Sequence, residues 1–342
     1  MNKQLLNAPG WILLAALGLL APAWPDDAAG RFGVLDRIAG PDGRWDYTTI
    51  DPVARRLYLG RKSGVLVMDL DSKRINPEAV PGENVHGARL VGDTGLVLST
   101  NGASNSVTVF SAADYKVRGK VQVGASPDDA VYDPATRLVA VMNHSDGTIS
   151  MVDASALKLV RTIKIGGILE AADVAAGGTL YVNVADRHEI AVVDLRSGTL
   201  LRRFALEGCE EPSGLAYDAT DDYVASVCDN GVTKILHARD GSEVATIKTG
   251  LGSDGLIYDA QRRLFLVPAA KPGTLSVITL GAGGPPQLLQ VVETAPGARL
   301  GALDTKTGRV YLPSAKRGPP VSPDPWPTVV PGTFAFVVVG ER

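Results

Sequence analysis

The chain is poor in cysteine and histidine. Two cysteines and four histidines in 342 residues form no C-x-x-C, no C-x-x-C-H and no His/Cys zinc-finger spacing. A covalently attached haem and a thiolate-rich metal site are therefore excluded. Nucleophilic and nucleotide-binding motifs are also missing. There is no G-x-S-x-G elbow, no H-E-x-x-H, no P-loop and no G-x-G-x-x-G opening a helix. An acyl-enzyme mechanism thus has no base–nucleophile pair to rest on. Excess positive charge is absent too: the formal net charge is −3. That argues against a nucleic-acid partner, which calls for a basic surface to neutralise phosphates. Beyond the N-terminal segment no stretch keeps a 3.6-residue apolar period, so a helical protein is not expected.

The N-terminal segment itself is informative. "MNKQLLNAPGWILLAALGLLAPA" has one Lys, an apolar run from Trp11 to Leu20 and an Ala-Pro-Ala end, the pattern of a cleaved secretory signal over residues 1–23. The run is shorter than the roughly 20 apolar residues of a membrane span, and no cysteine follows it to carry a lipid. The expected mature chain, residues 24–342, is exported, periplasmic in a Gram-negative host, free of a membrane anchor and monomeric. In an oxidising compartment Cys209 and Cys228 read as a disulfide.

A repeat organises the rest. "WDYTTIDPVARRLYLG" from Trp45 returns as "PDDAVYDPATRLVAVMN" from Pro127, "PSGLAYDATDDYVASVC" from Pro212, "SDGLIYDAQRRLFLVP" from Ser253 and "ARLGALDTKTGRVYLP" from Ala298. Weaker copies start at Val85 and Leu169. The seven copies are spaced by roughly 40–45 residues, the period of propeller blades. Each begins with a short apolar strand ending in Asp (Asp51, Asp133, Asp218, Asp259, Asp304) and a polar turn. Three further strands of alternating or continuous apolar character follow. The pattern predicts an all-β, seven-bladed propeller with four antiparallel strands per blade, in one domain. The last copy supplies only three strands. "FGVLDRI", Phe32 to Ile38, is expected to complete it and close the ring.

With its "WDYTTIDPVARRLYLG", "SPDDAVYDPAT", "EEPSGLAYDA" and "VPGTFAFVVVG", nearly the whole mature chain resembles the YncE-like, YVTN-type propellers of the bacterial periplasm. That resemblance implies the fold and the compartment. It leaves activity open, because the wider group holds lactonases, lyases, redox-enzyme subunits and binding proteins. The chain departs from the group in its sixth blade, where "VPAAKPGTL" replaces an Asn-Gly turn.

Aligned repeats expose a ring. Five residues before the strand-ending position stand Asp46, His86, Asp128, Glu170, Ser213, Asp254 and Arg299, at the entry to each innermost strand. In a propeller these entries form a polar collar around the central channel. The collar can simply cap N–H groups and face channel water. It can also hold a ligand: Asp46, Asp128, Glu170 and Asp254 for polar or cationic groups, Arg299 for an anionic one, with Trp45 and Trp326 as apolar walls; Trp45 and Tyr47, which flank Asp46, suit an aromatic wall and inter-blade core equally. Asp46, Asp128 and Glu170 could hold a divalent metal ion such as Ca²⁺; His86 suits a transition metal better. Asn101, Asn143, His144, Asp186, His188, Asp229 and Lys271 fall in turns on the same face, where turn chemistry and solvation are the default. The Pro-rich segment from Arg317 to Gly332 is expected there as a stiff, polyproline-like lid.

The functional expectation is an exported, non-enzymatic binding protein or scaffold that engages a small molecule or a periplasmic protein at the collar. One alternative is a metal-assisted lactonase- or lyase-type enzyme with His86 as acid/base. The other is an accessory subunit of a periplasmic redox system.

Overall fold

The structure, a computed structural model, describes residues 31–281, 284–320 and 327–342. The expected signal segment and Trp326 lie outside the described residues.

Seven four-stranded antiparallel sheets follow one another along the chain. The first blade comprises Trp45–Asp51, Arg56–Arg61, Gly64–Asp69 and Ile75–Pro81, from the innermost strand outward. Each innermost strand lies beside that of the next blade, and the seventh, Ala302–Asp304, lies beside the first. The fold is a seven-bladed β-propeller. Burial explains the apolar grammar. Middle strands sit between neighbouring blades and are dry on both faces, as in the pattern of Gly64–Asp69; they read as continuous Val/Leu/Met. Outer strands alternate, as in Lys158–Lys164, because one face meets water. A separate apolar cluster fills each seam between blades. Tyr58, Val65 and Val67 of blade one meet Val85, Ala88 and Val97 of blade two. Leu57 and Leu59 of blade one meet Phe336 and Val338 of blade seven. Each large side chain buried in this way contributes about 2–3 kcal/mol.

The five strand-ending aspartates share one local task. Their carboxylates accept backbone N–H bonds two or three residues on, such as Asp51 from Val53 and Ala54, Asp133 from Ala135 and Thr136 and Asp218 from Thr220 and Asp221. They therefore fix the first hairpin turn.

Closure follows the sequence expectation. Phe32–Ala39 pairs antiparallel with Ala335–Glu341, from Phe32↔Glu341 to Ala39↔Ala335, with one register shift between Val34 and Asp36. It forms the outer strand of blade seven. The Gln290 side chain of blade six ties this strand down: its amide accepts from Phe32 N at 3.0 Å and donates to Phe32 O at 2.9 Å. Cys209 and Cys228 form the expected disulfide, between the approach to blade five and the end of its second strand.

The Pro-rich segment differs from its polyproline reading. Arg317–Pro320 and Pro327–Val329 pair as a two-stranded antiparallel ribbon. Asp42 anchors its base by accepting from Gly332 N at 2.6 Å and Phe334 N at 3.2 Å.

Candidate ligand-binding funnel

The entry to the innermost strand is irregular in the same way in five successive blades. The register with the second strand shifts between Trp45 and Thr48, Val85 and Ala88, Pro127 and Ala130, Leu169 and Ala172, and Pro212 and Leu215. Each shift is a β-bulge, which leaves two residues unpaired and re-aims their side chains. Asp128 and Asp129 are such a pair. Side chains on the second strand satisfy backbone groups that the bulge frees, in their own blade and in the next. Thr100 Oγ1 donates to Asp128 O at 2.7 Å and accepts from Gly87 N at 3.1 Å. Asn183 Nδ2 donates to Ser213 O at 2.9 Å and Gly214 O at 3.1 Å. Gly60 leaves no room for a Cβ beside the His86 carbonyl, so the first blade can come close to the second only with glycine there.

All seven collar residues line one cavity of about 960 Å³. Asp46, His86, Asp128 and Glu170 form a continuous arc. His86 Nδ1 lies 2.8 Å from Asp46 Oδ2 and 2.9 Å from Asp128 Oδ1. Asn84 Nδ2 lies 3.0 Å from the other ring nitrogen, Nε2. Burial opposes a charge on His86, but the hydrogen bonds and charges of Asp128 and Asp46 outweigh it and raise the imidazole to about 10. Burial also works against ionised Asp46, and the bond from His86 prevails and lowers it. Glu170 meets His144 Nδ1 at 3.1 Å. Burial pushes Glu170 up to about 7, against the His144 hydrogen bond and helped by the charges of Asp128 and Asp254. Across the funnel Arg299 pairs with Asp254 at 2.9 Å, which raises the guanidinium. Burial raises Asp254 in spite of that partner. Ser213 Oγ donates to Ser253 O at 3.1 Å.

Trp45 and Tyr47 divide the two readings left open for them. Trp45 does not form a ligand wall. It is fully buried in the seam of blades seven and one, because its place just before the bulge turns it into the core, and Arg317 stacks over its ring at 4.2 Å. Tyr47 supplies the aromatic surface instead. It clusters with Ala171, Leu215 and Leu300 of blades four, five and seven, and its hydroxyl donates to Asp128 Oδ2 at 3.3 Å. His144, expected to be solvated, joins the collar through Glu170. Asn101 and Asn143 keep to turn chemistry, each donating within its own hairpin. His188 contacts Cys209 O through Nδ1 at 2.8 Å.

Tyr47 also borders a second cavity, of about 480 Å³, lower in the channel. Asp129 points there. It accepts from Arg89 Nε at 3.0 Å and NH2 at 2.6 Å and from Ala172 N at 3.2 Å. Arg89 lies 5.3 Å from the Tyr47 ring centre. Asp173, beside them, accepts from Tyr217 N at 2.9 Å and Val174 N at 2.8 Å, and burial pushes it up to about 6. Sequence reasoning missed Arg89 and Asp173. The signal available was the separation of Arg89 and Asp129 by one repeat.

No family model and no curated protein matches this chain. Solved structures do resemble it. A chain in "Crystal Structure of Mitotic Checkpoint Complex" superposes with a TM-score of 0.75 at 12% identity, covering 97% of this chain and 99% of that one. The RRP9 WD40 repeats give 0.74 at 11% identity, over 90% and 97%. Kuenenia stuttgartiensis hydrazine synthase gives 0.68 at 16%, over 80% and 94%. At such identities the likeness is one of fold. It bears out the seven-bladed propeller and goes no further.

Proposed function

We propose that this protein is a binding propeller that takes up a small polar molecule in the collar funnel. The observation that carries this reading is the convergence of all seven collar positions on one cavity of about 960 Å³, within the size range of small-molecule sites. The wall is divided. The carboxylates of Asp46, Asp128 and Glu170 suit donors or cations. Arg299 faces an anionic group, and its Nε is buried without a hydrogen-bond partner among the described residues, a cost that a bound acceptor would relieve. Tyr47, Ile168 and Pro212 add apolar surface. A zwitterion or a hydroxy acid has the matching chemistry. The N-terminal segment supports export to the periplasm, and the quoted repeat motifs support a YncE-like subtype.

Thermal-shift screening of a defined panel of amino acids, hydroxy acids and sugar phosphates, followed by calorimetry, tests the reading. One chemical class should stabilise the wild type, and Asp128→Asn and Arg299→Ala should abolish that effect. A panel without any binder, or binding that survives both substitutions, overturns it. Periplasmic fractionation with mass spectrometry of the N-terminus tests export.

A protein partner has its own supporting observation. Leu288, Leu289 and Val291 are 43%, 45% and 51% exposed on the outer strand of blade six, Gln287–Glu293. Crosslinking in a periplasmic extract, with Leu289→Lys as the control that should lose the crosslink, tests that second reading.

A further inference from the structure

The collar contains two overlapping sets of metal-competent donors. In the first, Asp46, His86 and Asp128 each present one donor atom, and these atoms lie within 4.8 Å of one another. In the second, Asp128, His144 and Glu170 do the same. Asp128 belongs to both. Around one divalent ion with bonds of about 2.0–2.2 Å, ligand atoms stand at most about 4.4 Å apart. Each set is therefore gathered to about the span of one shared ion.

Each set combines one imidazole with two carboxylates. Both imidazoles turn the same nitrogen inward: His86 Nδ1 toward Asp46 and Asp128 at 2.8 and 2.9 Å, and His144 Nδ1 toward Glu170 at 3.1 Å. Asn84 lies against the outward nitrogen of His86, its Nδ2 at 3.0 Å; with the amide turned so that Oδ1 accepts from that N–H, it would orient a ligating imidazole. Asp128 is likewise fixed from behind, through Tyr47 OH and the bond from Thr100 to its carbonyl. Mixed nitrogen and oxygen donors favour Zn²⁺, Mn²⁺ or Fe²⁺ over Ca²⁺, which takes oxygen ligands alone. This extends the sequence expectation, in which Asp46, Asp128 and Glu170 surrounded one ion and His86 suited a transition metal. The histidine that turn chemistry had assigned to solvent completes the second set.

The geometry points to a two-ion centre in the collar, with Asp128 bridging one divalent transition-metal ion held by Asp46 and His86 and a second held by His144 and Glu170. The inference deepens the funnel reading and rests on it. Both ions would face the open cavity, where oxygen atoms of the bound molecule or water could fill their remaining positions while Arg299 takes an anionic group.

The experiment uses the full chain, stripped with EDTA, loaded with Mn²⁺ or Zn²⁺ alone, and passed through gel filtration before elemental analysis. The wild type should retain two ions. His86→Ala and His144→Ala should each retain one, and Asp128→Asn none. Asp173→Asn, in the lower cavity, should retain two. Circular dichroism melts show that each variant is folded. The Mn²⁺-loaded wild type should give the electron paramagnetic resonance signal of a coupled pair, and the single-histidine variants that of an isolated ion. The inference is overturned by a folded wild type that retains no ion, by one ion indifferent to both histidines, or by two ions kept in Asp128→Asn. Small molecules bound by a wild type that retains no ion after loading would preserve the funnel reading while the metal inference fails. Two ions with no small molecule bound would do the reverse.

Discussion

The Tyr47 hydroxyl donates to Asp128 across the channel, at 3.3 Å, and the ring beneath it separates the two cavities. One aromatic side chain from blade one thus packs with Ala171, Leu215 and Leu300 of three other blades and positions a collar carboxylate. Tyr47→Ala should cost about 3 kcal/mol, the range of large-to-small core truncations. Tyr47→Phe keeps the packing and loses one long hydrogen bond, about 1 kcal/mol or less. Urea denaturation of both variants checks this. Equal losses would show that the hydroxyl, and not the ring, matters.

Thr100 carries the bulge of its own blade and that of the next. Its hydroxyl accepts from Gly87 N and donates to Asp128 O, and it is buried. Thr100→Val preserves shape but orphans a buried N–H and a buried carbonyl. The expected loss is about 1–3 kcal/mol, and Thr100→Ser should restore most of it. Ligand or metal affinity at the collar should fall in Thr100→Val and recover in Thr100→Ser. An unchanged denaturation midpoint in Thr100→Val would refute the assignment.

Ring closure rests on an ion pair as well as on the strand exchange. Arg55 of blade one donates to both oxygens of Asp304 of blade seven at 2.8 Å, and the Asp304 side chain is fully buried. Arg55→Ala leaves that carboxylate without its guanidinium, at a cost of about 3 kcal/mol. The damage should be local. Hydrogen exchange should accelerate in Phe32–Ala39 and Ala302–Asp304 before it does in blade four. Uniform acceleration around the ring would argue that the seam is no weaker than the other contacts.

The repeat made the fold legible, because each blade spells the same four strands and the missing strand of the last blade stands at the other end of the chain. It made the collar legible too, because a fixed offset from a strand-ending Asp is a fixed height on the channel axis. The bulge was not legible. Period-2 alternation puts Asp128 and Asp129 on opposite faces of a flat strand; the extra residue instead sends one to the upper funnel and the other to Arg89. The same bulge decides Trp45, for which ligand wall and inter-blade core stood equal, in favour of the core. His144 was missed because turn residues are ordinarily solvated. Only the packing of blade three against blade four brings it to Glu170.

The lower cavity predicts a pH dependence with a definite sign. Asp173 is raised to about 6 by burial. Arg89 and Asp129 are the charged groups beside it, the first opposing the rise and the second adding to it. Between about pH 4 and 6 the folded chain holds a proton that the unfolded chain has released, so stability falls as pH rises through that window. Above it the full penalty applies, at most about 3 kcal/mol at about 1.4 kcal/mol per pH unit. Asp173→Asn removes the titration and keeps one acceptor oxygen for the backbone. The stability of the variant minus that of the wild type should therefore climb from pH 4 to pH 6 and then level off, whatever constant offset the lost oxygen adds. Denaturant midpoints measured at intervals from pH 4 to 8 give this difference. A flat difference would mean that Asp173 titrates as it does in water, and a falling one would mean that Arg89 rather than burial governs its charge.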